Sequence, residues 1–296
     1  MVHEPKQFLG CNVDAADSDS PVKVSARAYL ERVVGESLPR PLSEYAKAAA
    51  PCSAKLMESY EAAKALIGKV KPDPALVSRY MVKLGKIMYA VSTGTRPDLC
   101  YSVNMCARTA TFPTEAMEAR LDEALVYAGQ TAADGIVFGA CENATLTGYS
   151  DSDWHVTHST SAHCIMFGSA CVCYGSRRQK CIAMSSTEAE IIAASQAALE
   201  ILYLRTLARE MGVCMEQPTV LYVDNAGAVE LAKHRKSCDR SRHVQRRYFK
   251  VRELVAEGEI EVRWIDTKEN VSDLLTKGTF DNETFASLKA KAMSGA

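Results

Sequence analysis

Four acids sit where a folded chain could gather negative charge. Asp151 closes the apolar stretch Leu146-Thr147-Gly148-Tyr149-Ser150, and Asp224 closes Val220-Leu221-Tyr222-Val223. Both stretches predict strands, and each acid is followed by small or polar residues that can turn the chain. In an open sheet with flanking helices, ligand groups collect at strand ends and helix starts. Carboxylates placed there can hold magnesium, a hard cation that takes oxygen ligands. A pair of such ions about 4 Å apart suits phosphodiester hydrolysis, one activating a water and the other supporting the leaving oxygen. On position alone, each acid could equally be a solvated turn residue.

The other two acids need more argument. Ser185-Ser186-Thr187-Glu188 has capping-box spacing, a serine with a glutamate three residues on. Glu190 lies two residues further, about 200° around a helix, so Glu188 and Glu190 cannot face one site. With Glu188 folded back on the helix start, Glu190 is left to face the sheet edge. Asp153 would share a face with Asp151 if the strand continues, which makes it the reserve ligand. Trp154 beside it is expected to pack rather than to stack on a base. Asp273 is expected at a helix start after a strand over 260–265, where an acid also serves as an N-cap or dipole partner. It becomes a candidate ligand only in company with the other three.

Lys233 to Arg252 holds nine Lys or Arg residues, with Asp239 as its one acid and Tyr248 and Phe249 inside it. Arg177, Arg178 and Lys180 form a second small cluster. In a chain of net charge −1, such local patches are what could meet a phosphate backbone. A solvated helix face would have the same composition. His243 could touch a phosphate or assist proton transfer, or simply cap.

The elements that must position these residues follow from pattern. Hydrophobic residues make up 47% of the 296 and charged residues 24%, enough for a sizeable core. No stretch approaches the ~18 apolar residues of a membrane span. Residues 1–10 contain no apolar run of the signal-peptide kind, so an intracellular location and no membrane partner are expected. The 11 cysteines form no Cys-x-x-Cys pair and read as reduced thiols. His155, His158, His163 and Cys164 fit no zinc spacing.

Residues 1–58, polar at first and then broken by Pro39, Pro41 and Pro51, predict a tail and linker. Residues 59–135 predict a small helical subdomain, with Leu76, Tyr80, Leu84, Ile87 and Val91 at helical spacing, a turn at Thr95–Asp98 and a new helix after Pro113. From 136 to about 280 the pattern becomes mixed. Strands are expected at 136–138, 146–150, within 164–174 around Gly168, at 182–184, 220–223 and 260–265. Helices are expected over 187–211, 225–233 and 244–257 and again from 271. This order suits a mixed α/β sheet with helices on its faces. Residues 281–296 complete the chain as a terminal helix or tail.

Taken in order, several segments form one set. They are Tyr149-Ser150-Asp151-Ser152-Asp153-Trp154, Ser159-Thr160-Ser161, Ser185-Ser186-Thr187-Glu188-Ala189-Glu190, Tyr222-Val223-Asp224-Asn225, Ser241-Arg242-His243 and Val271-Ser272-Asp273-Leu274-Leu275-Thr276-Lys277. The set resembles the ribonuclease H domain of copia-type LTR retrotransposon polyproteins, over about residues 146–278. Upstream, Leu84-Gly85-Lys86-Ile87-Met88-Tyr89, Thr95-Arg96-Pro97-Asp98 and Asn104 are similar to the end of the copia reverse transcriptase region. The Tyr-Val-Asp-Asp polymerase signature is missing, which marks a fragment without the polymerase site.

The resemblance implies a ribonuclease H-like fold, a five-stranded mixed sheet with flanking helices. It also implies two magnesium ions (manganese being a possible substitute) on Asp151, Glu190, Asp224 and Asp273 as catalytic and metal-binding residues. With the basic clusters, it marks Arg177, Arg178, Lys180, Asn225, Arg240, Arg242, His243, Arg246 and Arg247 as nucleic-acid contacts. The implied activity is cleavage of the RNA strand of an RNA–DNA hybrid. The implied partner is the rest of the reverse transcriptase portion of a polyprotein, in the cytoplasm, the nucleus or a retrotransposon particle. The chain departs from the family pattern at His155, at His163-Cys164, at Ile191 and in the short loop to Ser159. These departures bear on substrate handling more than on metal binding. An inactive nucleic-acid-binding remnant and a structural connection module are the rival expectations. An integrase of the same fold fits less well, because its usual last acid is a glutamate.

Overall fold

The computed structural model describes residues 6–15, 20–139, 145–155, 157–233, 242–278 and 280–294, with only the main chain at 233 and 242–248. The chain divides into two units. One comprises Met1–Ala140 with Lys277–Ser287, the other Cys141–Thr276 with Leu288–Ala296.

The first unit combines helices α1 (Arg27–Ser37), α2 (Lys55–Leu66), α3 (Pro74–Ser92), α4 (Cys100–Ala107) and α5 (Glu115–Gln130) with a four-stranded antiparallel sheet. In α3 the residues spaced for a helix are the ones that bury, Leu76, Tyr80, Leu84 and Ile87. Asp73 caps it by accepting from the Ala75 N–H, with Pro74 at the first position, where its missing N–H costs nothing. The turn before α4 is held by a fully buried pair: Arg96 Nη2 lies 2.8 Å from Asp98 Oδ2, and the Tyr127 hydroxyl donates to the same oxygen at 2.9 Å.

The N-terminal stretch differs from the predicted tail. β1 (Gln7–Phe8), β2 (Cys11–Asp14) and β3 (Val22–Ser25) pair in sequence, and β4 (Gly135–Phe138), expected to open the second sheet, pairs with β3 through Ile136 opposite Val24. These strands are two to four residues long and mostly half-exposed, so they lack the sustained alternation that reveals a strand. Gly135 is where the pairing is tightest. A Cβ there would stand 2.3 Å from the Val24 carbonyl oxygen and 2.9 Å from Ser25 Cα. Because backbone cannot step aside like a side chain, Gly135→Ala should cost several kcal/mol, on the order of 3. A urea titration that leaves the unfolding midpoint of this unit unmoved would contradict that contact.

The second unit is built on β5 (Leu146–Asp153), β6 (Thr160–Phe167), β7 (Ala170–Arg178), β8 (Thr219–Val223) and β9 (Ile260–Trp264), in the order β7-β6-β5-β8-β9. β6 runs antiparallel to β5 and β7, and β5, β8 and β9 are parallel. Around them lie α6 (Ser186–Glu210), α7 (Ala226–Lys233) and α8 (Arg242–Ala256); α9 (Asn282–Ser294) begins in the first unit and ends in the second. The alanine-rich face of α6 lets it approach the sheet closely. Ala197, Ala198 and Ile201 bury against Ile165, Leu221 and Val223. Gly148 is part of that approach, since a Cβ there would lie 2.6 Å from Ile201 Cδ1. α6 ends in a Schellman motif, Gly212 at φ +80° with Val213 N–H donating to Ala208 O and Gly212 N–H to Arg209 O.

Two expected elements are absent. Residues 182–184 form no strand; Ala183 instead turns inward on Ala189 and Ile192. The acid-bearing segment 271–275 is a 3-10 turn rather than the start of the last helix.

Candidate active site

Register places the first two acids. Ser150 pairs with Val223 across the parallel strands β5 and β8, so Asp151 and Asp224 stand one position beyond, about 4.8 Å apart along the ladder. Glu190 comes from the second turn of α6. That helix start is fixed by reciprocal capping: Ser185 Oγ accepts from the Glu188 N–H at 3.1 Å, and Glu188 Oε2 accepts from the Met184 N–H at 2.8 Å. Glu188 is thus occupied, as its spacing predicts, although its carboxylate reaches one residue further back than in the standard box.

Asp151, Glu190 and Asp224 each offer a carboxylate oxygen within 4.8 Å of the other two. It is the one group of three or more metal-ligating side chains found together among the described residues. Asp151 and Glu190 are buried and Asp224 half-buried. Glu190 Oε1 accepts from the Ser152 N–H at 3.0 Å and from Ser152 Oγ at 2.8 Å, whereas its Oε2 is buried with no hydrogen-bond partner. Burial, followed by the charges of Asp151 and Asp224, pushes the Glu190 carboxyl up to about 9. A carboxyl kept protonated by burial and by two neighbouring acids is a place where a cation is favoured. Clustered oxygen donors and an orphaned carboxylate oxygen together fit a hard divalent ion.

Asp273 stands outside the trio. It is buried in the turn Val271–Leu275, which Asn270 ties to β5 by donating from Nδ2 to Ser150 O at 3.0 Å. From the same segment the hydroxyl of Thr276, three residues on, donates to Asp151 Oδ2. Asp153, the reserve, lies exposed at the end of β5 and is not part of the trio. Nor do His155, His158, His163 and Cys164 form a metal-ligating group. Trp154 packs less than expected: its indole N–H donates to Ala183 O at 3.1 Å and the residue stays 46% exposed.

Of the expected nucleic-acid contacts, Arg177, Arg178 and Lys180 are exposed at the end of β7 and just beyond it. Asn225 acts differently, its Oδ1 capping α7 by accepting from the Ala228 N–H at 3.0 Å. Arg240 lies outside the described residues. Arg242, His243, Arg246 and Arg247 lie on α8, with side chains outside the description. Within the same basic stretch, Lys250 pairs with Glu253, and Arg252 Nε donates to Leu231 O. Ser152, Thr267 and Thr276 went unselected in the sequence, although each holds one of the acids. Two of them stood inside the segments that carry the resemblance.

A mixed sheet in the order β7-β6-β5-β8-β9, with acids at the ends of the neighbouring parallel strands β5 and β8 and on α6, which lies between them in the chain, defines a ribonuclease H-like domain. No family model matches the chain. It is 28% identical to the retrovirus-related Pol polyprotein from transposon TNT 1-94 of Nicotiana tabacum, over 92% of this chain and 20% of that one. It is 30% identical to the Pol polyprotein from transposon RE2 of Arabidopsis thaliana, over 71% of this chain and 14% of that one. Among solved structures, the N-terminal RNase H domain of a Mycobacterium tuberculosis protein covers 49% of this chain and 96% of its own, at 12% identity and a TM-score of 0.36. The homologues the chain matches over most of its length are thus retrovirus-related, copia-type Pol polyproteins of plant transposons. It spans a fifth or less of the length of the two relatives described.

Proposed function

We propose that this chain is the ribonuclease H portion of a retrotransposon Pol polyprotein and hydrolyses the RNA strand of RNA–DNA hybrids. The observation that carries the reading is the convergence of Asp151, Glu190 and Asp224, with a buried Glu190 oxygen left unpartnered. These three side chains would hold the divalent cations, magnesium being the natural choice for an all-oxygen site. Bound cations of this kind supply Lewis acidity to an attacking water and to a leaving oxygen. The chain's own part is to present the oxygens. Ser152 fixes one side of Glu190, and Glu190 gives up its proton as positive charge enters. Arg177, Arg178 and Lys180 offer exposed positive charge for phosphates. Selection of the RNA strand would fall on its 2′-hydroxyls. The neighbouring reverse transcriptase portion of the polyprotein would be the physical partner.

Asp273 gives the rival reading its footing. With the fourth acid outside the trio, a nucleic-acid-binding remnant would keep the fold and lose the chemistry. A hybrid with a labelled RNA strand separates the two. Cleavage that needs magnesium, and that falls about a thousandfold or more in Asp224→Asn, is the expected result. Salt-sensitive binding without cutting would establish the remnant, and cutting that survives Asp224→Asn would end the assignment.

A further inference from the structure

Each acid of the trio has one oxygen held by a hydroxyl, and the three hydroxyls come from different places in the chain. Ser152 on β5 holds Glu190 Oε1, from Oγ at 2.8 Å and from its own N–H. Thr267, in the turn Thr267–Glu269 after β9, donates to Asp224 Oδ2 at 2.9 Å. Thr276, wholly buried, donates to Asp151 Oδ2 and lies 3.3 Å from the Asp273 carbonyl oxygen. The charged acceptor is the stronger claim on its single proton.

We infer that Ser152, Thr267 and Thr276 are positioning residues that set the affinity of the acids for metal, an inference that rests on reading those acids as metal ligands. Three carboxyl groups crowd within 4.8 Å of one another, and each can rotate about its last bond to turn its oxygens away. A hydroxyl on one oxygen fixes the carboxylate plane and thereby the direction of the other oxygen. It also places the positive end of an O–H dipole on the carboxylate it holds. Partners of this kind around metal ligands change metal affinity by about 10- to 100-fold. The three should not be equal. Thr276 is buried, so no water can replace it. Ser152→Ala keeps the main-chain donor to Glu190. The Thr267–Asp224 pair is exposed, so water can stand in.

The test is binding of Mn2+ alone to the metal-free chain, followed by paramagnetic resonance without nucleic acid. Thr276→Val should weaken Mn2+ binding about 10- to 100-fold, Ser152→Ala and Thr267→Val should weaken it less, and Thr276→Ser should keep it. Hybrid cleavage by Thr276→Val should recover towards the wild-type maximum as Mn2+ is raised, because the defect lies in loading. A role confined to filling space would leave Mn2+ affinity unmoved in Thr276→Val, or would weaken it equally in Thr276→Ser, and either result overturns the inference. If Thr276→Val does not fold, Thr276→Ala carries the same test, and Mn2+ affinity unchanged there overturns the inference. Graded Mn2+ affinities in a chain that never cuts hybrid would sink the nuclease reading and sustain this one. A wild-type chain that binds no Mn2+ would sink both.

Discussion

Glu190→Gln is expected to abolish magnesium-dependent cleavage while making the metal-free protein more stable. The loss of cleavage should be about a thousandfold or more, since an amide cannot supply the anionic oxygen that a hard cation needs. The gain in stability follows from linkage. The Glu190 carboxyl sits at about 9 in the folded chain against an ordinary 4.5, because of burial and then because of Asp151 and Asp224. Between those values the folded state holds a proton that the unfolded state has released. Stability contributed by this group is therefore fully present below pH 4.5 and declines as pH rises towards 9. The decline is roughly 1.4 kcal/mol per pH unit at most, less where the trio shares its protons. Glutamine carries no such penalty. The variant should match the wild type near pH 4 and pull ahead through neutral pH, with the margin closing when magnesium is added to the wild type. Urea midpoints for both proteins at pH 4, 7 and 9, with and without magnesium, test this. A variant less stable than wild type at pH 7 without metal would show that Glu190 is ionised there and that the trio is not strained by its own charge.

The opposition between stability and activity explains which parts of the site the sequence could reveal. Asp151 and Asp224 were legible because each ends an apolar run, and an acid directly after a buried strand has few places to go. Glu190 was legible by exclusion: Ser185 and Glu188 satisfy the start of α6, and the next acid around the helix falls towards the sheet. The 25-residue α6 and the strands β8 and β9 carry enough periodic signal to be placed within a residue or two. Other features depend on partners that no local pattern names. β4 has the residues of a strand, but nothing in Ile136 or Val137 says that its neighbour is Val22–Ser25 rather than β5. Thr276 lies three residues after Asp273, and that its hydroxyl lands on Asp151 depends on how Asn270 docks this segment on Ser150. Asn225, chosen for its place in a motif, is engaged by the first turn of α7, a role its position directly after a strand equally allowed. Hydroxyls are hardest of all to choose in advance, because serine and threonine are common and their effect here comes wholly from the acid they touch.

His163 should give the second unit an acid limb that the trio does not explain. It lies on β6 directly opposite Gly175, and its ring fills the space a side chain there would need: a Cβ at 175 would stand 2.7 Å from His163 Cε1. Cys173 Sγ is 3.8 Å from Nε2, and Arg177 lies two residues further along the same strand as Gly175. Burial above all, with the Arg177 charge adding to it, lowers the imidazole from 6.5 to about 4. The unfolded chain therefore takes up this proton between pH 6.5 and about 4, and the folded chain does not. Stability from this group is complete above pH 6.5 and is lost as pH falls through that window, by about 3 kcal/mol in all. His163→Gln, neutral throughout, should lose markedly less stability between pH 7 and pH 4 than the wild type, and the difference between the two curves isolates this residue from every other carboxyl and imidazole. The consequence reaches the acids because Ala162, next to His163, is the residue that pairs with Asp151. Protonation that loosens β6 at this point should cost cleavage activity in the same pH window in which it costs stability. Parallel acid limbs for wild type and His163→Gln would mean that the imidazole is solvated and that β6 is not sealed at Gly175.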